Sequence, residues 1–272
     1  MAKSAAAKSS ALKKNDPAKG SAVARTSSME KPQLEWTSVE QMRPTQCSVG
    51  YIEVELKMRE LGERAKDPKA LARYLKGHPI PAVMGPDERM YLTDHHHMGL
   101  AMCKLSDEWD ASPRGAGRNP FRKCCFQIQH DYSDKPDLSL SDFFKKMEGH
   151  GLCHPYDGRG ERTGQPPKSL LMLEDDPYRS LAGLARKAGA YDKVALPYTE
   201  FKWADFLRSR IKVGAIKTAT LPEVIVRAVE LARSEAAKGL PGYRGKEHHG
   251  ETPTVEQVGE RIKVRHGAAD EE

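Results

Sequence analysis

No stretch of this 272-residue chain comes near the ~20 consecutive apolar residues that a membrane-spanning helix needs, which excludes an integral helical membrane protein. The N-terminus lacks the apolar run of about 7–15 residues that marks a secretory signal. Cysteine is scarce: five in all, an odd number, with Cys124 and Cys125 adjacent and no C-x-x-C pair. That usage speaks against a disulfide scaffold and against a structural zinc site, and nothing points to haem or flavin. Also missing are a Walker loop, a G-x-G-x-x-G turn after a strand, a G-x-S-x-G elbow and an H-E-x-x-H helix. P-loop ATPases, Rossmann dehydrogenases, serine hydrolases and zincins therefore drop out. The expectation is a cytoplasmic protein in a reducing compartment.

The body of the chain also lacks a charge excess. The formal net charge is +6, but residues 1–28 carry six cations against Asp16 alone, leaving +1 for everything after them. A basic tail binds phosphates or acidic surfaces non-specifically through counterion release, whereas a near-neutral body gives no support for a broad nucleic-acid groove.

What is there falls into four stretches. Residues 1–33, rich in Ala, Ser and Lys, have almost no large apolar side chains and read as a disordered basic tail. Residues 34–110 read as a small α/β core, residues 111–238 as a mainly helical extension packed on it, and residues 239–272 as a polar C-terminal tail. Within the core, Val49, Ile52, Leu56 and Leu61 fit one helical face, and Asp67-Pro68 starts a second helix. Ile80–Met84 and Met90–Thr93, separated by Gly85-Pro86-Asp87-Glu88, predict a β-hairpin. Met98, Ala101, Met102 and Leu105 follow at helical spacing, with Asp94 as the N-cap. Cys124–Ile128 reads as a strand and Leu140–Met147 as a helix, and Asp176-Pro177 opens another.

Asp94-His95-His96-His97 is the sharpest chemical feature, because it places three imidazoles at a strand-to-helix turn. The first amides of a helix have no intrahelical partners and sit at the positive end of its dipole, so an anion such as phosphate is stabilised there. Imidazoles at that place donate hydrogen bonds to phosphate oxygens or carry a proton, with a reference pKa near 6.5. Asp94 caps the helix, orients an imidazole or holds a magnesium ion; the plain alternative is a cap beside packed polar residues. Arg43, Gln46 and Lys57 precede the hairpin and are candidates for the same cleft. His154, Asp157 and Arg179 form a second polar group, expected to face the cleft of His96. Arg179 stands near a helix start, where a cation is slightly unfavourable, so it calls for an anionic neighbour.

Arg43-Pro44-Thr45-Gln46, Val49-Gly50, Lys57, Ile80-Pro81 through Gly85-Pro86, Tyr91-Leu92-Thr93-Asp94-His95-His96-His97, His154-Pro155-Tyr156-Asp157 and Asp176-Pro177-Tyr178-Arg179-Ser180-Leu181-Ala182-Gly183 together resemble the ParB-like nuclease family, a branch of the ParB/sulfiredoxin superfamily. The resemblance covers about residues 38–212. It implies an α+β fold, a ParB/sulfiredoxin-like small mixed sheet with helices extended by a mostly α-helical C-terminal region, and a strand-to-helix turn that binds phosphate. Asp94, His96 and His97 match the Asp-Gly-His-His-Arg form of the related free-serine kinases. His95 stands in place of the glycine and Met98 in place of the arginine, so Arg43 or Lys57 would have to supply the missing cation. Gln46 lies near the position of the kinase carboxylate, with Glu53 and Glu55 as substitutes.

The expected function is phosphoryl or phosphodiester chemistry at this turn. Asp94, His96 and His97 are its catalytic candidates. His95, Arg43, Gln46, Lys57, His154, Asp157 and Arg179 are the candidates for binding the phosphate or substrate, and Asp94 is the candidate magnesium ligand. Magnesium and a nucleotide are the implied cofactors, and the implied partner is a phosphate-bearing ligand, nucleotide or nucleic acid. Two other readings stand beside this ParB-like nuclease: an ATP- or ADP-dependent small-molecule kinase, and a non-enzymatic nucleotide- or DNA-binding module.

Overall fold

A hairpin near the middle of the chain organises the sheet. In the computed structural model, which describes residues 34–113, 118–245 and 251–267, strands β4 (Ile80–Met84) and β5 (Met90–Leu92) pair antiparallel with Ala82 opposite Leu92 and Met84 opposite Met90. Alternation along β5 sends Met90 and Leu92 into one apolar cluster and Tyr91 into another, so both faces of the strand are covered. β6 (Lys123–Asp131) runs parallel to β4, β1 (Leu34–Ser38) pairs antiparallel with β6, and β2 (Met42–Arg43) lies parallel to β5. The five-stranded mixed sheet has the order β1-β6-β4-β5-β2. β6 sits inside the sheet, so the sheet is not complete by residue 110, where the sequence places the end of the core. Cys124, Cys125 and Phe126 are all buried, the pattern of a strand covered on both faces.

Helix α1 (Tyr51–Arg64), helix α2 (Pro68–Gly77, capped by the Asp67 carboxylate on the Lys69 amide) and helix α3 (His96–Ala111) build the core on one side of the sheet. Helix α4 (Leu140–Gly149) covers Val83 and Tyr91 on the other with Phe143, Phe144 and Met147. A second apolar core is made by α5 (Pro177–Lys187), α6 (Thr199–Arg208), α7 (Leu221–Arg233) and α8 (Val255–Gly267). The short strands β3 (Ser48–Val49) and β7 (Glu174–Asp175) pair parallel and tie the start of α1 to the start of α5.

α1 has three working faces where the sequence suggests one. Val54 and Leu61 enter the sheet core, Ile52 and Leu56 pack on the helical core, and Glu53, Lys57 and Glu60 point to a cavity between them. At ~100° per residue, positions 54 and 61 nearly eclipse each other while 52 and 56 lie on a different stripe. The region after residue 239, read as a polar tail, contributes α8, whose Val258 is buried against the helical core. The basic stretch 1–33 lies outside the described residues. No described helix is long and apolar enough to cross a membrane.

Candidate functional site

The turn between β5 and α3 departs from the expected cap. His95, not Asp94, is the N-cap residue, and it adopts the left-handed conformation (φ 60°, ψ 28°) with no side-chain cap bond to the helix. The Asp94 carboxylate accepts the amide of His95 itself, at 2.7 Å. The first helical bond runs from the Gly99 amide to the His95 carbonyl, so the amides of His96, His97 and Met98 belong to an uncapped first turn. Gly99 lets the helix approach the sheet, since a Cβ there would lie 2.7 Å from a Leu92 methyl.

The three histidines have different surroundings. His96 is 2% exposed, and its Nε2 accepts the Thr45 amide at 3.1 Å, which places the ring proton on Nδ1, a buried atom without a partner. Burial pushes its pKa down to about 3. It ties the turn to the 45–46 segment and does not line the cavity, so the sequence's pairing of His96 with His97 as neighbours on the ligand is not what the fold builds. His97 does line the cavity. Its Nε2 accepts the Gly50 amide at 3.2 Å, and burial, against the pull of Glu53, lowers its pKa to about 4. His95 also lines the cavity. Its Nδ1 is buried without a partner, and burial lowers its pKa.

Glu53 is the hub beside them. Its carboxylate accepts Arg179 Nη1 at 3.0 Å and Lys187 Nζ at 2.8 Å and lies 3.6 Å from His97 Nε2. Burial raises its pKa, but His97, Arg179 and Lys187 together outweigh that and hold it at about 2. Gly183 leaves room for this carboxylate, because a Cβ there would fall 2.5 Å from Glu53 Oε2. On the far side of the α1 stripe, Lys57 pairs with Glu60 and donates to the Tyr74 hydroxyl at 3.1 Å, and Tyr74 stacks on His78 at 4.3 Å between ring centroids. The cavity enclosed by these groups has a volume of about 430 Å³.

Asp94, His95, His97 and Lys57 therefore meet at one cavity, and Arg179 approaches through Glu53. The other candidates lie elsewhere. Arg43 donates to the Glu40 and Met42 carbonyls at 3.0 Å each, closing its own turn. Gln46 bridges to His154, whose ring lies against Tyr156, Tyr198 and Phe201. The Asp157 carboxylate accepts the Arg159 and Glu161 amides at 2.9 Å each and pairs with Arg159, a clamp on its own loop. His154 and Asp157 line a second cavity of about 410 Å³ with Tyr198 and Arg208, and not the cavity of His95 and His97, although the His154 amide bonds the carbonyl of the same Thr45 that holds His96. The anionic neighbour expected for Arg179 is Glu53 of α1. Lys187, Tyr74 and the α8 residues on the cavity wall carry no motif. Glu53 was legible only as one of two substitutes for a carboxylate.

Among the described residues no three His, Cys, Asp or Glu side chains group as a metal cage. Magnesium carried on ligand phosphates needs only one or two protein carboxylates. Asp94 fits that demand, because Oδ1 is engaged by the His95 amide and Oδ2 has no protein partner among the described residues.

A mixed sheet whose strand-to-helix turn opens on a cavity, backed by a helical extension, defines a ParB-like α+β protein. The chain belongs to the family described as "Putative ParB-like nuclease", whose profile matches residues 36–209. The crystal structure of protein Atu1540 from Agrobacterium tumefaciens is similar, with 36% identity, a TM-score of 0.66, and coverage of 80% of this chain and 99% of that one. No curated protein matches the chain.

Proposed function

We propose that this chain binds a phosphate-bearing ligand in the cavity at the β5–α3 turn and carries out phosphoryl or phosphodiester chemistry there. The observation that carries the reading is the uncapped first turn of α3 flanked by two neutral imidazoles and two lysines around one cavity of about 430 Å³. The amides of His96, His97 and Met98 receive phosphate oxygens at the positive end of the helix. The His95 Nδ1 atom, buried without a partner, gains one. Lys57 and Lys187 supply the charge that the Met98 position lacks, each now neutralised by a glutamate that the ligand would share. His97, neutral at pH 7 with its Nε2 taken by the Gly50 amide, carries its proton on Nδ1 and donates a hydrogen bond from there to a phosphate or leaving oxygen. Magnesium, when bound with the ligand, would neutralise phosphate charge, with Asp94 as its protein carboxylate.

A second reading, phosphoryl transfer to or from a small molecule, is favoured by the Glu53 carboxylate on the cavity wall, an acceptor that would orient a substrate hydroxyl beside the phosphate. The test is a thermal-shift screen of ATP, ADP, CTP, free serine and short DNA, with and without magnesium. A ligand at 100 times its Kd stabilises the native chain by ~2.7 kcal/mol. Stabilisation that Lys57→Ala or His95→Ala abolishes supports the site. No shift with any phosphate compound, together with no turnover of nucleotide or DNA, would overturn the reading.

A further inference from the structure

The cavity wall opposite the turn belongs to another part of the fold. Leu184 of α5 and Ala188 at its C-terminal cap, Ile225 of α7 and Val258 and Ile262 of α8 form it, with Leu56 of α1 beside them. All six belong to the helical core or pack against it, so the wall is a face of that core left open to the cavity. Arg261 of α8 also lines the cavity, but these six present aliphatic carbon alone. A sugar hydroxyl or a base edge brought against them would lose its water without gaining a partner. The one ring pair at the cavity, Tyr74 on His78, is already stacked and lies with Lys57 on the polar side. Enclosure by α5, α7 and α8 and a volume of about 430 Å³ also place the space in the range of small-ligand pockets.

We propose that this cavity takes a small phosphate ester with an apolar body, an aryl or alkyl phosphate, and not a nucleic-acid strand. The inference rests on the phosphate reading of the turn and goes beyond it by assigning the far wall. The phosphate sits on the α3 amides between Lys57 and Lys187, and the apolar body lies along α5, α7 and α8. Selectivity then comes from shape and from water excluded by the aliphatic wall, with the Arg261 guanidinium as the donor on the α8 side. Such a ligand would also draw α8 onto α1 and α7, because its body fills the space between Leu56, Ile225 and Ile262.

The test uses the full chain and ligand-observed NMR with inorganic phosphate, phenyl phosphate, glycerol 3-phosphate and a short DNA duplex. Phenyl phosphate should bind at least about tenfold tighter than glycerol 3-phosphate, inorganic phosphate should displace both, and the duplex should displace neither. Ile262→Gln should bring the two esters within about threefold of each other while retaining inorganic phosphate. Ile262→Trp, which keeps the wall apolar but fills it, should exclude phenyl phosphate and spare inorganic phosphate. Equal affinity for the two esters, both displaced by inorganic phosphate, overturns the apolar-body assignment and leaves the phosphate site standing. Displacement of phenyl phosphate by the duplex overturns the small-ligand assignment. Binding of none of the phosphates overturns the site reading itself.

Discussion

Replacing His95 separates strain from packing at the turn. At φ 60° an L-residue carries ~1–2 kcal/mol of left-handed strain, which glycine escapes. His95→Gly removes that strain, forfeits the packing of a half-buried ring and gives the unfolded chain ~0.5–1 kcal/mol of extra backbone entropy. These terms nearly cancel, so the glycine variant should lie within about 1 kcal/mol of the wild type. His95→Ala loses the same ring but keeps the strain, and should be less stable than His95→Gly by ~1 kcal/mol. Urea unfolding at neutral pH reads the difference, and in a chain of this size ~1 kcal/mol also appears as a Tm shift of roughly 2–4 °C. Both variants should lose ligand-induced stabilisation, because Nδ1 is gone from the cavity. An alanine variant as stable as the glycine variant would refute the argument, since the turn would then hold no left-handed strain for glycine to relieve.

Three further outcomes are expected. His96, His97 and His154 have folded pKa values of about 3, 4 and 4, all below the unfolded value, so the unfolded chain binds more protons between those values and ~6.5. Stability should therefore fall on acidification from pH 6.5 towards 4, by up to ~1.4 kcal/mol per pH unit for each histidine, and pH-dependent urea titrations should show this slope, which a flat profile would contradict. Glu53→Gln leaves the Arg179 and Lys187 charges without their carboxylate and should cost about 3 kcal/mol in the same assay, with loss of the acid-side dependence between 4.5 and about 2 that Glu53 contributes. Gly183→Ala drives a Cβ against the Glu53 carboxylate and should destabilise by ~1–3 kcal/mol; a neutral result in differential scanning calorimetry would show that α5 can retreat from α1.

Elements set by local signals were legible in the sequence. The β4–β5 hairpin followed from two apolar runs around Gly85-Pro86-Asp87-Glu88, and α5 from Asp176-Pro177, whose carboxylate does cap the Tyr178 and Arg179 amides. The position of the histidine turn after β5 followed in the same way. What local signals do not carry is which distant segment fills a gap. β6 looks like any short apolar strand until β1 and β4 pair on its two edges. α8 hides among polar residues because only Val258 and Ile262 need a partner, and α1 and α7 supply it. The divergence of His154 and Asp157 from the turn has the same origin: their loop closes on the 45–48 segment and on α6, a long-range choice that residue type does not encode.

The sharing of α1 between the two apolar cores governs how the protein can open. Val54 and Leu61 belong to the sheet side, Ile52 and Leu56 to the helical side, and Glu53 and Lys57 to the cavity between them. A helix with obligations on both sides cannot be released by one layer alone, so an excursion that loosens α5 or α8 strips α1 of half its cover and exposes the Glu53 carboxylate to water. Slow amide exchange in α1 should then report the same free energy as global unfolding, while α4, whose apolar side chains pack on the opposite face of the sheet, is free to exchange through a smaller, separate fluctuation.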